Sequence, residues 1–328
     1  MIIVTGGAGF IGSALVWKLN SEGVSDLLVV DRMGSGPKWR NLNKRQVSGI
    51  LHVDEFFPWL EREGNSANVE AVFHLGASSS TTITDVDYLV ANNLNYTTRL
   101  WNYCTSYGIP FIYASSAATY GGGEHGFDDE PAKVGRLVPL NPYGFSKQKF
   151  DQWALTQERT PPFWAGLKFF NVYGPQEYHK GSQSSVVFQW VPQVKQTGAI
   201  RLFKSYRPEY PDGGQLRDFV YVKDVVDVIW HLYQKRARID SGVYNVGSGE
   251  ARSFADLARA VFSAMDAGQG RLDFIEMPEA LRGQYQYRTE ATLARLREKA
   301  GYTAPMTPLE TGVTDYVRNY LLKDDPYL

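Results

Sequence analysis

The chain has 328 residues, 43% of them hydrophobic and 14% aromatic, enough apolar material for one large core or two modest ones. A formal net charge of −1 gives no footing for a nucleic acid or an anionic membrane surface as partner. Cys104 is the single cysteine, which excludes an internal disulfide and a cysteine-built metal cluster; its setting in Leu100-Trp101-Asn102-Tyr103-Cys104 reads as core packing, and no metal site is expected.

Met1 leads directly into Ile2-Ile3-Val4, a buried-strand pattern with no basic and apolar leader ahead of it. No apolar run reaches the ~18 residues that a membrane span needs. The expectation is therefore a cytoplasmic protein. Apolar strands are predicted at 2–5, 27–31, 71–75, 111–115 and 165–170, alternating with helices at 9–21, 86–107 and 143–157. That alternation predicts right-handed βαβ units in a Rossmann-type, doubly wound parallel α/β sheet.

The first strand runs into Gly6-Gly7-Ala8-Gly9-Phe10-Ile11-Gly12. Gly7, Gly9 and Gly12 fit G-x-G-x-x-G, and Gly6, Gly9 and Gly12 fit G-x-x-G-x-x-G. Strand, glycine turn and helix start in this order predict a pyrophosphate held on a helix N-terminus, with Phe10 and Ile11 beside it. Asp31 ends the second strand, where an acid binds a ribose hydroxyl, and an acid alone would favour NAD. Arg32 and Lys38 follow and suit a 2′-phosphate, so NADP is the favoured cofactor, with NAD as the alternative. Leu75-Gly76-Ala77-Ser78-Ser79 ends a later strand with small residues, a turn that either passes beneath a ribose or packs on a helix. His74 reads as a hydrogen-bonded core residue.

Ser115 and Ser116 close the strand that starts at Phe111, where a hydroxyl can meet a reacting alcohol or carbonyl. Tyr143 and Lys147 follow in Asn141-Pro142-Tyr143-Gly144-Phe145-Ser146-Lys147. Four residues apart on a helix, they share one face. A free phenol has a pKa of about 10. A neighbouring ammonium is expected to lower it, giving a tyrosine able to move a proton on and off an alcohol. Beyond about Pro175 the pattern is less regular. Residues 206–215 read as a polar surface loop, Arg217-Asp218-Phe219-Val220-Tyr221-Val222 as a strand, and 253–265 and 290–300 as amphipathic helices. The predicted organisation is a cofactor-binding domain over 1–174, onto which 217–250 packs back, and a smaller, discontinuous α/β substrate-binding domain over 175–328.

The glycine turn, the strand-end serines and Tyr143/Lys147 together resemble the extended short-chain dehydrogenase/reductase superfamily. The resemblance covers nearly the whole chain, including Arg217–Val222 and Gly242-Val243-Tyr244-Asn245-Val246-Gly247. It implies a catalytic set of Ser116, Tyr143 and Lys147, and an asparagine near the cofactor at Asn92 or Asn93. Nucleotide-sugar dehydratases of that superfamily carry Asp-Glu after the strand-end Ser-Thr; Ala117-Ala118 stands here and disfavours elimination. Ser115-Ser116-Ala117-Ala118-Thr119-Tyr120-Gly121-Gly122, with the segment from Phe170 through Tyr178-His179-Lys180-Gly181-Ser182, is similar to the ADP-glyceromanno-heptose 6-epimerase family.

That similarity implies NADP-dependent inversion of C6″ of an ADP-heptose through a transient ketone, in the supply of a lipopolysaccharide core precursor. Tyr143 and Lys180 would be the two proton-transfer groups, with Lys147 at the cofactor ribose. Without the resemblance, Lys180 reads as a diphosphate-binding cation in a loop. Val172 and Lys180 fall at cofactor-contact positions. Ser116, Asn171, Ser182, Gln189, Phe203, Lys204, Ser205, Arg217 and Tyr285 fall at substrate-contact positions, with Arg217 suited to clamp a diphosphate. Tyr285 equally reads as core packing beside Tyr287. The chain departs from the family at Gln183, where methionine is usual, at Gln189, where histidine is usual, and in the longer 206–215 loop. The resemblance also implies a homo-oligomer, with a pentamer as one form. Two alternatives stay open: another nucleotide-sugar epimerase or reductase, for example one acting at C4 of a UDP-hexose, and a non-catalytic NADP-sensing regulator. The presence of both Tyr143 and Lys147 weighs against the regulator.

Overall fold

The computed structural model describes residues 1–64, 67–268, 270–283 and 285–328. Its strands in chain order are β1 (Ile2–Thr5), β2 (Leu27–Asp31), β3 (Gly49–His52), β4 (Ala71–His74), β5 (Phe111–Ser116), β6 (Trp164–Phe169), β7 (Asn171–Tyr173), β8 (Ala199–Phe203), β9 (Leu216–Tyr221), β10 (Gly242–Val246), β11 (Ala251–Ser253) and β12 (Arg271–Ile275). β1, β2, β4 and β6 are buried along their whole length, as a parallel sheet covered on both faces requires. Seven strands form that sheet in the order β10-β6-β5-β4-β1-β2-β3, all parallel. The chain winds outward from β1 to β3, then returns to β4 on the other side of β1. The order therefore reverses between β1 and β4, and a crevice opens outside their carboxyl ends.

The five predicted strands of the first half appear with ends shifted by at most one residue. The short edge strand β3 was not expected; it alternates half-buried and exposed residues and is too brief to signal itself. The predicted helix over 86–107 is continuous but contains a π-helical stretch, Val90–Asn95, between Val86–Leu89 and Tyr96–Tyr107. It turns Asn93 inward, and Gly108, left-handed at φ 65°, ends the helix. The helix Pro142–Leu155 starts where its sequence says it should. Asn141 Oδ1 accepts from Gly144 N at 2.8 Å, and Pro142 fills the first position.

In the second half, β7, β9 and β11 make a three-stranded sheet, and β8 and β12 pair in parallel. Of residues 217–250, β10 extends the large sheet beside β6, and the helix Val222–Lys235 packs on the helix Phe10–Ser21. β9 instead pairs with β7 and β11. The predicted strand end at Val222 is wrong by one residue: an apolar pattern runs unbroken from β9 into that helix. The predicted helix over 290–300 shrinks to Ala294–Glu298. Its first residues are held elsewhere: the Thr292 carbonyl, which a longer helix would use, accepts from Asn245 Nδ2 at 3.0 Å, while Ala291 N donates to Asp218 Oδ2 at 2.9 Å and Thr292 N to the Phe127 carbonyl at 3.2 Å. The helix predicted at 253–265 is Phe254–Ala264, opened by a Ser253/Asp256 capping box. One apolar core runs from Ile2 and Val4 in β1 through Val225 and Ile229 to Val313 and Tyr316. Among the described residues, no helix is long and apolar enough to cross a membrane.

Candidate active site

A cleft of about 740 Å³ lies at the β1/β4 reversal. Gly6, Gly9, Phe10, Ile11 and Gly12 form its floor. Gly6 has a positive φ of 67°, and a Cβ there would come within 2.5 Å of Gly76 N. A Cβ on Gly12 would reach within 2.0 Å of the Gly6 carbonyl oxygen. Gly7 faces away from the cleft, against Val4 and Val29, so Gly6, Gly9 and Gly12 are the motif rather than Gly7, Gly9 and Gly12. The following helix has no side-chain cap and no acidic residue in its first turn, which leaves its N–H groups and dipole free for an anion.

Asp31 lines the same cleft, its carboxylate fixed by Ala8 N at 2.9 Å and Arg32 N at 2.7 Å. Lys38 Nζ reaches Asp31 Oδ1 at 2.5 Å, while Arg32 is turned outward onto Asp54 at 3.0 Å. Both cations line a smaller adjoining cavity of about 190 Å³, with Ser78, Tyr88, Asn92 and Tyr96. Leu75, Gly76, Ala77 and Ser79 line the main cleft. Asn93, fully buried, donates to the Ser78 carbonyl and to Ser146 Oγ and accepts from Ser78 N, tying this turn to the Pro142–Leu155 helix. Asn92 therefore borders the smaller cavity, and Asn93 holds the loop. His74 is a core residue: it bonds Thr5 and Thr97, and burial pushes its pKa down to about 3, so it stays neutral.

Ser116, Tyr143 and Lys147 line one wall of the cleft. Ser116 also caps the turn Ala117–Tyr120 by accepting from Ala118 N. Lys147 Nζ donates to the Ala114 carbonyl at 2.9 Å, and burial pulls its pKa down to about 8 against the opposing influence of Asp151. The phenol of Tyr143 moves the other way from expectation. Burial raises it, a hydrogen bond with Ser116 lowers it, and Asp151 raises it further. Burial of the phenol outweighs the lowering that the spacing to Lys147 led one to expect.

Lys180 lines the cleft from another element, the 3₁₀ stretch Tyr178–Gln183 kinked at Gly181. Its Nζ lies 5.4 Å from the centre of the Phe10 ring. Burial lowers its pKa and Glu177 opposes the shift. Glu177 is fully buried and takes hydrogen bonds from the hydroxyl and the N–H of Ser185. Asn171 and Val172 complete this side.

The remaining expected substrate residues lie outside the lining of both cavities. Ser182 and Gln189 bond each other, Gln189 Nε2 to the Ser182 carbonyl at 3.2 Å. Phe203 ends β8, Lys204 pairs with Glu276 at 2.7 Å, and Ser205 N donates to Asp212 at 2.7 Å. Arg217 is buried with its guanidinium 4.8 Å from the Tyr285 ring and 5.7 Å from that of Phe254, which does line the cleft. Tyr285 also meets Tyr287 edge-on, the packing contact expected of it. Sequence reasoning missed His179, Gln183, Ser184, Ser185 and Phe219 in the lining. Phe219 was within reach, two residues from Arg217 on a strand and so on its face.

The profile described as the NAD dependent epimerase/dehydratase family matches residues 2–247, three quarters of the chain. The chain belongs to that family. A curated Fusobacterium nucleatum protein, ADP-L-glycero-D-manno-heptose-6-epimerase, is 52% identical over the full length of both chains. Among solved structures, the Helicobacter pylori ADP-L-glycero-D-manno-heptose-6-epimerase superposes with a TM-score of 0.79 at 29% identity, covering 97% of this chain and 95% of that one. The Thermus thermophilus UDP-glucose 4-epimerase in complex with NAD gives 0.75 at 26% identity, covering 97% of each.

Proposed function

We propose that this chain is an ADP-L-glycero-D-manno-heptose 6-epimerase that inverts C6″ of ADP-D-glycero-D-manno-heptose, supplying a lipopolysaccharide core precursor. The full-length relative at 52% identity supports the substrate. The observation that carries the chemistry is a pair of proton-transfer groups, Tyr143 and Lys180, borne by different elements and lining one cleft with the Gly6–Gly12 turn. Inversion of a carbon with no acidic C–H demands a transient ketone that is reduced from its other face, and a group is needed to serve the oxygen in each orientation.

The residues fit a nicotinamide dinucleotide: glycines where a Cβ would collide, an uncapped helix start and Asp31 at the ribose position. That cofactor, when bound, supplies removal and return of the C6″ hydride. Tyr143 exchanges the hydroxyl proton with the sugar oxygen in one orientation, with Ser116 as its hydrogen-bond partner. Lys180 serves the oxygen in the other orientation, its burial favouring the neutral amine that a base requires. Lys147 presents an ammonium to the cofactor ribose while anchored on Ala114. Arg217 forms no ion pair among the described residues and is enclosed by aromatic rings. A buried guanidinium without a carboxylate partner suits the substrate diphosphate.

The cofactor reading is NADP, because Lys38 and Arg32 flank Asp31 and can turn to a 2′-phosphate. Residues 1–174, with 217–250 largely packing back onto them, form the cofactor lobe, and the rest of 175–328 the substrate lobe, of a cytoplasmic homo-oligomer; the resemblance supports these last attributes. The test is incubation with ADP-D-glycero-D-manno-heptose, reading C6″ by NMR while following NADPH. Inversion without net NADPH change is expected, with NADP bound more tightly than NAD and Lys38→Ala narrowing the gap. Inactivity on the ADP-sugar, with turnover of a UDP-hexose at C4, would replace this reading by its runner-up.

A further inference from the structure

Asp151 and Lys168 form an ion pair at 2.8 Å with both side chains 0% exposed. Removing two charges from water is costly, so such a pair is weak evidence of stability and calls for another explanation. Asp151 lies one helical turn beyond Lys147 and two beyond Tyr143, on the same face of the Pro142–Leu155 helix. It accepts from Tyr113 at 3.0 Å and from Ser115 Oγ at 2.6 Å. Lys168, on β6, also donates to Thr119 Oγ1 at 2.6 Å, and Thr119 donates in turn to the Ser116 carbonyl at 2.8 Å. Both ends of the pair thus terminate on the strand end and turn that present Ser116 to the cleft.

We propose that Asp151 and Lys168 are positioning residues for the Tyr143–Lys147 pair: Asp151 fixes Ser115, Lys168 holds the Ser116 turn through Thr119, and Lys168 balances the charge of Asp151. The proposal rests on the epimerase reading only for its activity readout. The charged and titratable groups around the pair are Tyr113 on β5, Lys168 on β6, Tyr120 on the turn and Lys147 and Tyr143 on the same helix. His74 on β4 faces Lys147 and is neutral. Lys168 Nζ lies 5.0 Å from the Tyr120 ring centre, and Tyr120 donates to Asn245. The charge of Asp151 acts on both cleft residues, opposing ionisation of Tyr143 and favouring the charged form of Lys147. With Lys168 in place the net charge of the buried pair is zero.

The test is ultraviolet titration of the Tyr143 phenolate in the holoprotein, taken as the difference from Tyr143→Phe, beside the pH profile of kcat. Lys168→Met leaves the carboxylate unbalanced and is expected to shift the phenolate upward by about one unit, roughly tenfold less phenolate at a given pH, with the kcat profile moving alike. Asp151→Asn keeps the side-chain shape and is expected to shift both downward. Asp151→Asn/Lys168→Met, free of buried charge, returns them to within a few tenths of a unit of the wild type. Asp151→Asn and the double variant decide the matter even where Lys168→Met fails to fold. Loss of thermal stability with the phenolate titration unmoved in these variants overturns the proposal. Since the titration needs no sugar, failure of the substrate assignment and failure of this inference are separable.

Discussion

Two lysines line the same cleft under opposite constraints. Lys147 is carried by a well-capped helix, is 5% exposed and is tied to the Ala114 carbonyl. Lys180 is carried by a 3₁₀ stretch, half-buried, above the Phe10 ring and next to Gly181 at φ 55°, ψ −125°. Burial disfavours the charged form of each, and each has one carboxylate that opposes this, Asp151 for Lys147 and Glu177 for Lys180. The chemistry is therefore similar and the mechanics differ. A fixed ammonium suits a cofactor that stays in place, and a lysine on a kinked turn suits a substrate that must present two faces.

The comparison makes quantitative demands. Tyr143→Phe removes the proton carrier we propose on the helical wall and should lower kcat by about 10³–10⁴-fold with ADP-sugar binding retained. Lys147→Met should alter stability in a pH-dependent way. The folded pKa of about 8 is below the ordinary 10.5, so the unfolded chain holds the extra proton between these values and the native state gains stability as pH rises through that window. The variant should be more stable than wild type at pH 7 by on the order of 3 kcal/mol, with the gap closing toward pH 10.5 in denaturant melts. A gap of constant size would deny that Lys147 is desolvated.

Lys180→Met should cost about 10²-fold in kcat while calorimetry shows ADP-sugar affinity unchanged. Loss of affinity with kcat intact would make Lys180 a diphosphate cation and end the symmetry between the two lysines. The smallest effect belongs to Gly181→Ala. A Cβ there meets nothing within 4 Å, so the cost is backbone strain alone, about 1–3 kcal/mol, seen as a lower Tm. An unchanged Tm would show that the kink relaxes without penalty.

The helical wall was more legible in the sequence than the 3₁₀ one, and the reason is local geometry. Spacing of four puts Tyr143 and Lys147 on one helix face before any fold is known, and Gly6, Gly9, Gly12 and Asp31 are tied to a turn that tolerates few residues. Lys180 became a base only through resemblance, because a lysine in an irregular turn has no periodicity to place it. The direction of the Tyr143 shift was misread for a related cause: spacing brings Lys147 near, but burial of the phenol, the largest influence on it, is set by the tertiary fold. Asp151 and Lys168 belong to a helix and to β6 and meet only through topology. The 290–300 helix lost its first residues where Asn245 took the Thr292 carbonyl that a longer helix would use, a partner that no window of sequence contains.

The central claim is that one carbon yields its hydrogen and regains the same hydrogen on the opposite face. ADP-D-glycero-D-manno-heptose deuterated at C6″, converted in ordinary water, tests it directly. The expected product is inverted and still carries deuterium at C6″. An inverted product with protium from solvent at that carbon would contradict the account.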